Sequence, residues 1–325
     1  MPRVVYQGLS HEAGSQSVLD CLTARGHAIP NSCKAGLCQS CLMRATRGAV
    51  PPEAQHGLNS SLAARQFFLA CQCFPPGDIE VALAEDSLDR FAAQVGAIVP
   101  LTRDIAAIRL QLPENYRYRA GQFLRLFRDE HTWRNYSLAS VPGLDSQLEM
   151  HVQRVGSGLV SGWLLDRVRP GDTLTISEAL GDCFYSCPDA TQKLLLLGTG
   201  SGLAPLQGIV RDALASGHRG RIELYHGGRT AAGLYREQEL RALARLHDNF
   251  RYHGCVAESG RDSDARTGTA LELALSDHPD LTGWRVYLCG HPAMVDAARM
   301  QTFLAGASGS EIFADPFFSP KAPKQ

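Results

Sequence analysis

The sequence predicts a multidomain fold in three blocks: a small α+β unit, an antiparallel β-barrel, and an α/β domain built on a parallel sheet. Three observations predict it. The chain has 325 residues, more than one hydrophobic core usually supports. Strand-like segments separated by turn signals fill its middle. Beyond residue 190 the pattern changes to strand then helix, repeated.

The first block, residues 1–84, opens on strand-like "RVVYQ". It continues through amphipathic "SQSVLDCLTARG" and a cysteine-bearing loop, and closes on the alternation "DIEVAL". The polar stretch "AEDSLDRFAA" reads as a connector. In the second block, residues 90–188, "QVGAIVPL", "IAAIRLQL", "GQFLRLF", "NYSLAS" and "LEMHVQRV" have the spacing and turn signals of barrel strands. In the third, residues 190–318, "KLLLLGTG" precedes "LAPLQGIVRDALAS", "RIELYH" precedes "LYREQELRALARL", and "WRVYLCG" precedes "PAMVDAARMQTFL". That alternation specifies parallel strands with covering helices. The polar tail "SPKAPKQ" has nothing to pack with.

Composition excludes several classes of partner. Lys and Arg number 32 against 33 Asp and Glu, a net charge of -1, with no long basic run. Neither a nucleic acid nor a membrane surface is therefore expected as a partner. "MPRVVYQGLS" lacks an apolar signal core, and the apolar run in "KLLLLGTG" is too short to span a bilayer. A cytoplasmic address is expected, with the chain acting as a monomer. Ten cysteines in a reducing compartment point to metal or redox work rather than a disulfide framework.

The loop "NSCKAGLCQSC" spaces Cys33, Cys38 and Cys41 as C-x4-C-x2-C, and "LACQCFPPGD" offers Cys71 or Cys73 as a fourth thiolate. This is the plant-type 2Fe-2S spacing. Gly36 would let the backbone turn tightly where a β-carbon could crowd a cluster. Zinc sites prefer two separated C-x2-C pairs, so zinc is the alternative, beside thiols with no ligand role. On these motifs residues 1–84 resemble a plant-type ferredoxin, which implies a β-grasp fold. The family pattern ends in a "LACQ" segment carrying the last ligand, which makes Cys71 the ligand and leaves Cys73 out. Gln39 departs from the small residue, such as glycine, that many members have there. The departure alters the local amide hydrogen bonds and with them the potential.

"WRNYSLAS" supplies Arg134, Tyr136, Ser137 and Ser140. Alternation puts Arg134 and Tyr136 on one strand face and Ser137 on the other. Arginine suits a phosphate and tyrosine a ring or ribityl chain, although an ordinary barrel strand can carry the same residues. Further on, "GSGLVSGWL" places small residues at a helix start, where free amides can take a pyrophosphate. Together the segments resemble the flavin-binding domain of the ferredoxin-NADP reductase superfamily. The resemblance implies FAD, held by the Arg134, Tyr136, Ser137 and Ser140 strand, with Ser137 near flavin N5. It makes Gly156, Ser157, Gly158 and Ser161 the phosphate turn and sets His151 and Val152 alongside the flavin.

"LLLLGTGSGLAPL" runs a buried-type strand into Gly198, Thr199, Gly200 and Gly202, with Pro205 in the first helical turn. Such a turn lets phosphates approach the backbone, or is simply a tight connection. It matches the superfamily's G-x-G-x-x-P, which implies a nicotinamide dinucleotide. "YLCGHP" gives Cys289 and Gly290. A cysteine here can be a small core residue, whereas the family's C-G-x-P places it beside nicotinamide C4. "EIFADPFF" sets Phe317 two residues after Asp315. This resembles the family's terminal acid-x-aromatic, in which the aromatic covers the flavin face, although a hydrophobic tail anchor would look the same. "RIELYHGGRT" lacks the strand-end acid that would hold a ribose 2'-hydroxyl, and Arg229 could attract a 2'-phosphate. Resemblance to oxygenase reductases still favours NADH, so a modest NADH preference is expected, with NADPH use possible. The remaining histidines and cysteines form no triad or metal-helix signature and read as structural.

Across almost its whole length the chain resembles reductases in which a plant-type ferredoxin is fused to a ferredoxin-NADP-reductase-like module. Such proteins feed bacterial ring-hydroxylating or diiron oxygenases. The resemblance implies that NADH gives a hydride, FAD stores two electrons, and a 2Fe-2S cluster passes them singly to a protein acceptor, first among them an oxygenase component. Reductases that serve deoxygenation of nucleotide-linked sugars share this domain order and are the alternative. A non-catalytic redox sensor is a further one, against which the intact flavin and nicotinamide segments argue.

Overall fold

A computed structural model describes the chain except residues 32, 33, 35, 37–40, 57, 59, 85–87, 131, 157, 259–264 and 318–325. The chain divides into two compact units, Met1–Asp89 and Arg90–Gln325.

The first unit contains β1 (Arg3–Tyr6), β2 (Leu9–Glu12), α1 (Val18–Thr23), β3 (Leu42–Arg47), α2 (Ser60–Ala64), β4 (Phe67–Leu69) and β5 (Ile79–Leu83). They form a mixed sheet in the order β2-β1-β5-β3-β4. β1 and β5, the first and last strands, pair in parallel at its centre. The Ser17 hydroxyl caps α1 by accepting from the Asp20 amide at 3.1 Å. The α1 residues Val18, Leu19, Cys21 and Leu22 are buried against Val4, Met43 and Phe68. This amphipathic segment is shorter than its apolar pattern predicts, because Gly26 takes a φ of 87° shortly after the helix ends.

In the second unit the barrel strands are β6 (Arg90–Pro100), β7 (Ile105–Gln111), β8 (Phe123–Phe127), β9 (Trp133–Ser137) and β10 (Leu148–Gln153), followed by α3 (Leu159–Asp166) and β11 (Thr173–Ser177). The order is β10-β7-β6-β11-β8-β9, and a bridge between Leu138 and Met150 joins the two ends. β6 starts at Arg90, inside the stretch expected as a connector. Ala93 and Val95 point inward while Arg90, Ala92 and Gln94 face out, so its polar residues are the outer face of a strand.

The last sheet follows, with β12 (Lys193–Thr199), α4 (Leu203–Ala215), β13 (Ile222–Gly228), α5 (Glu237–Leu246), β14 (Phe250–Val256), β15 (Arg266–Thr267), α6 (Ala270–Asp277), β16 (Trp284–Gly290), α7 (Pro292–Leu304) and β17 (Ile312–Pro316). All pairings in the order β15-β14-β13-β12-β16-β17 are parallel. The leucine run of β12 is buried on both faces. Leu194 and Leu196 join the core under α4, and Leu195 and Leu197 join the core under α6 and α7. Apolar periodicity predicts the helix of "LYREQELRALARL" from its first residues, yet α5 starts at Glu237. Arg236 before it is left-handed, with φ 55°. Among the described residues no helix is long and apolar enough to cross a membrane.

Candidate functional site

In the first unit the cysteine chemistry is carried by neighbouring strand ends. Leu42 of β3 pairs with Leu69 of β4, and the Ala70 amide donates to the Cys41 carbonyl at 3.0 Å. That register brings the Cys41 and Cys71 thiols within hydrogen-bonding contact, and burial pushes the Cys41 thiol up to about 11. The Gln72 side-chain amide reaches the Cys71 sulfur at 3.6 Å and the Lys34 carbonyl at 3.3 Å. Gly36, at φ 76°, packs on the same glutamine. Cys73 lies fully buried among the apolar residues of the unit, its pKa pushed up to about 12 by burial. Cys33, Cys38 and Gln39 lie outside the described residues. The donor chemistry of Cys41 and Cys71 fits a thiolate-held iron-sulfur cluster.

In the second unit, residues from three distant segments converge. Ser137, at the end of β9, donates its hydroxyl hydrogen to Asp315 Oδ2 at 2.7 Å. Asp315 sits opposite Cys289 in the β16–β17 ladder. The Phe317 amide donates to the Gly290 carbonyl at 2.8 Å. Burial raises Asp315 to about 6 against the pull of the Ser137 hydrogen bond. Burial also holds the Cys289 thiol well above its usual value. Its sulfur lies 3.6 Å from that of Cys183, an equally buried residue with no motif around it.

The glycine-rich turn packs directly on this group. A β-carbon at Gly202 would collide with the Cys289 carbonyl oxygen, and one at Gly290, φ 125°, would lie 2.7 Å from the Thr199 carbonyl oxygen. Glycine is what allows the two strand ends to meet. Thr199 Oγ1 accepts from the His291 amide at 3.3 Å. Gly198 and Pro205 are buried within the same turn and helix start.

The remaining flavin-strand residues divide. Arg134 and Tyr136 are half-buried on one face of β9 and Ser137 is buried on the other. Ser140 is engaged within the protein, 2.8 Å from the Tyr118 hydroxyl and 2.8 Å from the Glu149 amide. α3 starts at Leu159, and its N-cap residue Gly158 offers no side-chain cap, leaving the first amides of the helix for an anion. Ser161 Oγ accepts from the Val155 amide at 3.2 Å, which closes the turn before the helix. Gly156 faces open space, whereas Ser157 lies outside the described residues. His151 and Val152 are fully enclosed. The His151 ring meets Glu149 at 3.1 Å and the Tyr235 hydroxyl at 3.0 Å, so its side chain serves the protein. Arg229 follows β13, and the Glu258 amide donates to its carbonyl at 3.0 Å. A carboxylate residue therefore stands at this edge from the neighbouring strand, although β13 itself ends without one.

Comparison with known proteins gives the same three parts. Residues 7–76 match the 2Fe-2S iron-sulfur cluster binding domain, residues 92–185 the oxidoreductase FAD-binding domain and residues 196–300 the oxidoreductase NAD-binding domain. The chain is 34% identical over 309 residues to the ferredoxin--NAD(P)(+) reductase component of a Pseudomonas putida naphthalene 1,2-dioxygenase system, covering 93% of each. It is 35% identical over 298 residues to the reductase subunit of an Amycolatopsis aromatic O-demethylase, covering 87% of this chain and 88% of that one. The crystal structure of an Amycolatopsis cytochrome P450 reductase superposes with a TM-score of 0.69 at 32% identity, over 98% of this chain and 99% of that one. The chain belongs to the family of FAD- and NAD(P)H-dependent oxidoreductases with an N-terminal 2Fe-2S ferredoxin domain, homologous to the reductase components of bacterial multicomponent oxygenases.

Proposed function

We propose that this chain takes a hydride from NADH and delivers electrons one at a time, through its ferredoxin domain, to an oxygenase component. The observation that carries the reading is the convergence of Ser137, Cys289 and Asp315 from β9, β16 and β17, beside the glycine turn after β12. The named relatives, all reductase parts of oxygenase or demethylase systems, favour that acceptor over a nucleotide-linked sugar system. When bound, FAD and the cluster supply the conversion from electron pairs to single electrons. Arg134, Tyr136 and the amides at the start of α3 would hold the flavin, and the turn from Gly198 to Gly202 the dinucleotide phosphates.

The chain's own residues prepare the reacting region. Ser137 gives its hydrogen to Asp315 Oδ2, which fixes the orientation of the serine hydroxyl. Burial of Ser137 and Cys289, with Asp315 half-buried beside them, limits water there. With its pKa raised by burial, Cys289 acts as a neutral thiol, shaping the space where the nicotinamide ring must lie.

Anaerobic addition of NADH to the holoprotein should bleach flavin and iron-sulfur absorption together. A fragment of residues 90–325 should still bind flavin and reduce small artificial acceptors, while reduction of the oxygenase component falls at least about 100-fold, a barrier increase near 2.7 kcal/mol. Residues 1–89 should carry the cluster and oxidise no NADH. Full-rate reduction of the oxygenase component by the larger fragment would remove the cluster from the path.

A modest NADH preference is the expectation for this edge, where the Glu258 amide donates to the Arg229 carbonyl at 3.0 Å, so that one carboxylate-bearing and one cation-bearing residue are joined through their backbones. Glu258→Gln should raise NADPH use several-fold relative to NADH, and Arg229→Ala should lower it. Steady-state kcat/KM for both coenzymes measures this. A ratio unmoved by either change would place the 2'-position elsewhere.

A further inference from the structure

We infer that Glu149 is a positioning residue for hydride transfer, locking the flavin barrel to the nicotinamide-binding domain so that the two reacting rings meet in register. The inference rests on the function proposed above and concerns Glu149, Tyr235 and Arg236, which belong to none of the cofactor motifs.

Glu149, His151 and Gln153 alternate along β10 and therefore share one face. All three reach the neighbouring domain. Glu149 Oε1 accepts from Arg236 Nη2 at 2.7 Å, and its Oε2 from Arg109 Nε, also at 2.7 Å. The His151 ring meets the Tyr235 hydroxyl at 3.0 Å. Gln153 Oε1 lies against Gly200 of the dinucleotide turn. A second pair, Asp145 with Arg211 at 2.7 Å and 2.8 Å, joins the same two domains nearer the surface.

Electrostatics make the Glu149 link rigid. Burial alone would raise this carboxyl, but the bonds from His151 and Arg109 and the charge of Arg236 hold it down at about 2, so it is an anion at every working pH. The buried, neutral His151 must then donate from Nε2 to Glu149, and Nδ1 must accept from Tyr235. Every hydrogen in that chain has one direction. Arg236 adopts a left-handed backbone at φ 55°, and its ion pair to Glu149 accompanies that conformation. The Tyr235 ring continues edge-on to His226, centroids 5.6 Å apart, and His226 precedes Gly227, Gly228 and Arg229 at the dinucleotide edge. Contact therefore runs unbroken from the barrel strand to the coenzyme edge. Small displacements of a reacting pair cost large factors in rate.

The test is anaerobic stopped-flow reduction of bound flavin by a series of NADH concentrations, using full-length wild type, Glu149→Gln and Tyr235→Phe. The limiting rate should fall about tenfold in Glu149→Gln and about threefold in Tyr235→Phe, with half-saturating NADH within about twofold of wild type and flavin content unchanged. Wild-type limiting rates in both variants would overturn the inference. So would a slower rate fully explained by lost flavin or by raised half-saturation. Should Glu149→Gln fail to fold, Tyr235→Phe, which removes one hydroxyl, decides alone. A wild type that NADH does not bleach would overturn the proposed function itself.

Discussion

Cys71→Ser is expected to abolish the iron-sulfur absorption and cut electron delivery to the protein acceptor at least about 100-fold, while NADH still bleaches the flavin. Cys73→Ser should keep the cluster. The two cysteines stand two residues apart in "LACQC", and their surroundings separate them. Cys71 shares a hydrogen bond with Cys41 and receives the Gln72 amide, an arrangement that suits a ligand sulfur. Cys73 is packed among Val18, Leu22 and other apolar side chains of the first unit. A serine hydroxyl there loses water without a partner, so Cys73→Ser should cost about 1–3 kcal/mol in thermal or denaturant unfolding. Visible absorption with iron content measures the first effect. A normal spectrum in Cys71→Ser, with loss in Cys73→Ser, would exchange the two assignments.

The parts of the molecule legible in the sequence are those where spacing alone fixes geometry. C-x4-C-x2-C confines three sulfurs to one loop. Glycines between a buried strand and a helix allow only a close-packed turn, and Gly202 meets the Cys289 carbonyl there. The leucine run of β12 is central because a strand covered on both sides needs no polar face. Contacts made only by tertiary packing left no local trace. Cys183 reaches Cys289 across 106 positions and Arg236 reaches Glu149 across 87. The left-handed Arg236 interrupts a segment whose apolar periodicity is that of a continuous helix. The parallel pairing of β1 with β5 in the first unit is likewise invisible in either strand's own pattern.

Asp315→Asn is expected to slow flavin reduction by NADH and, at the same time, to stabilise the protein near neutral pH. Both follow from one half-buried carboxyl whose pKa is raised to about 6, chiefly by desolvation. The folded protein holds a proton that the unfolded chain releases near 3.8, so stability from this group is greatest in acid and declines as pH rises from about 4 to about 6. The full shift corresponds to roughly 3 kcal/mol. Asparagine keeps the shape and an oxygen for the Ser137 hydroxyl without a charge to bury, so the variant should melt several degrees higher at pH 7. The charge serves the reaction. Only the carboxylate accepts the Ser137 hydrogen strongly enough to fix the serine oxygen, so the wild-type rate should decline below about pH 6. In Asp315→Asn that inflection should vanish and the limiting rate should fall about 10- to 100-fold, at or below the lower end of the loss for a group that itself transfers the proton, since Asp315 acts through Ser137. Single-turnover reduction across pH 5–8, beside melting curves at the same values, measures both. A variant with wild-type speed and an unchanged inflection would assign the titration to another group. A variant that melts lower at pH 7 would show that the ion stabilises the fold.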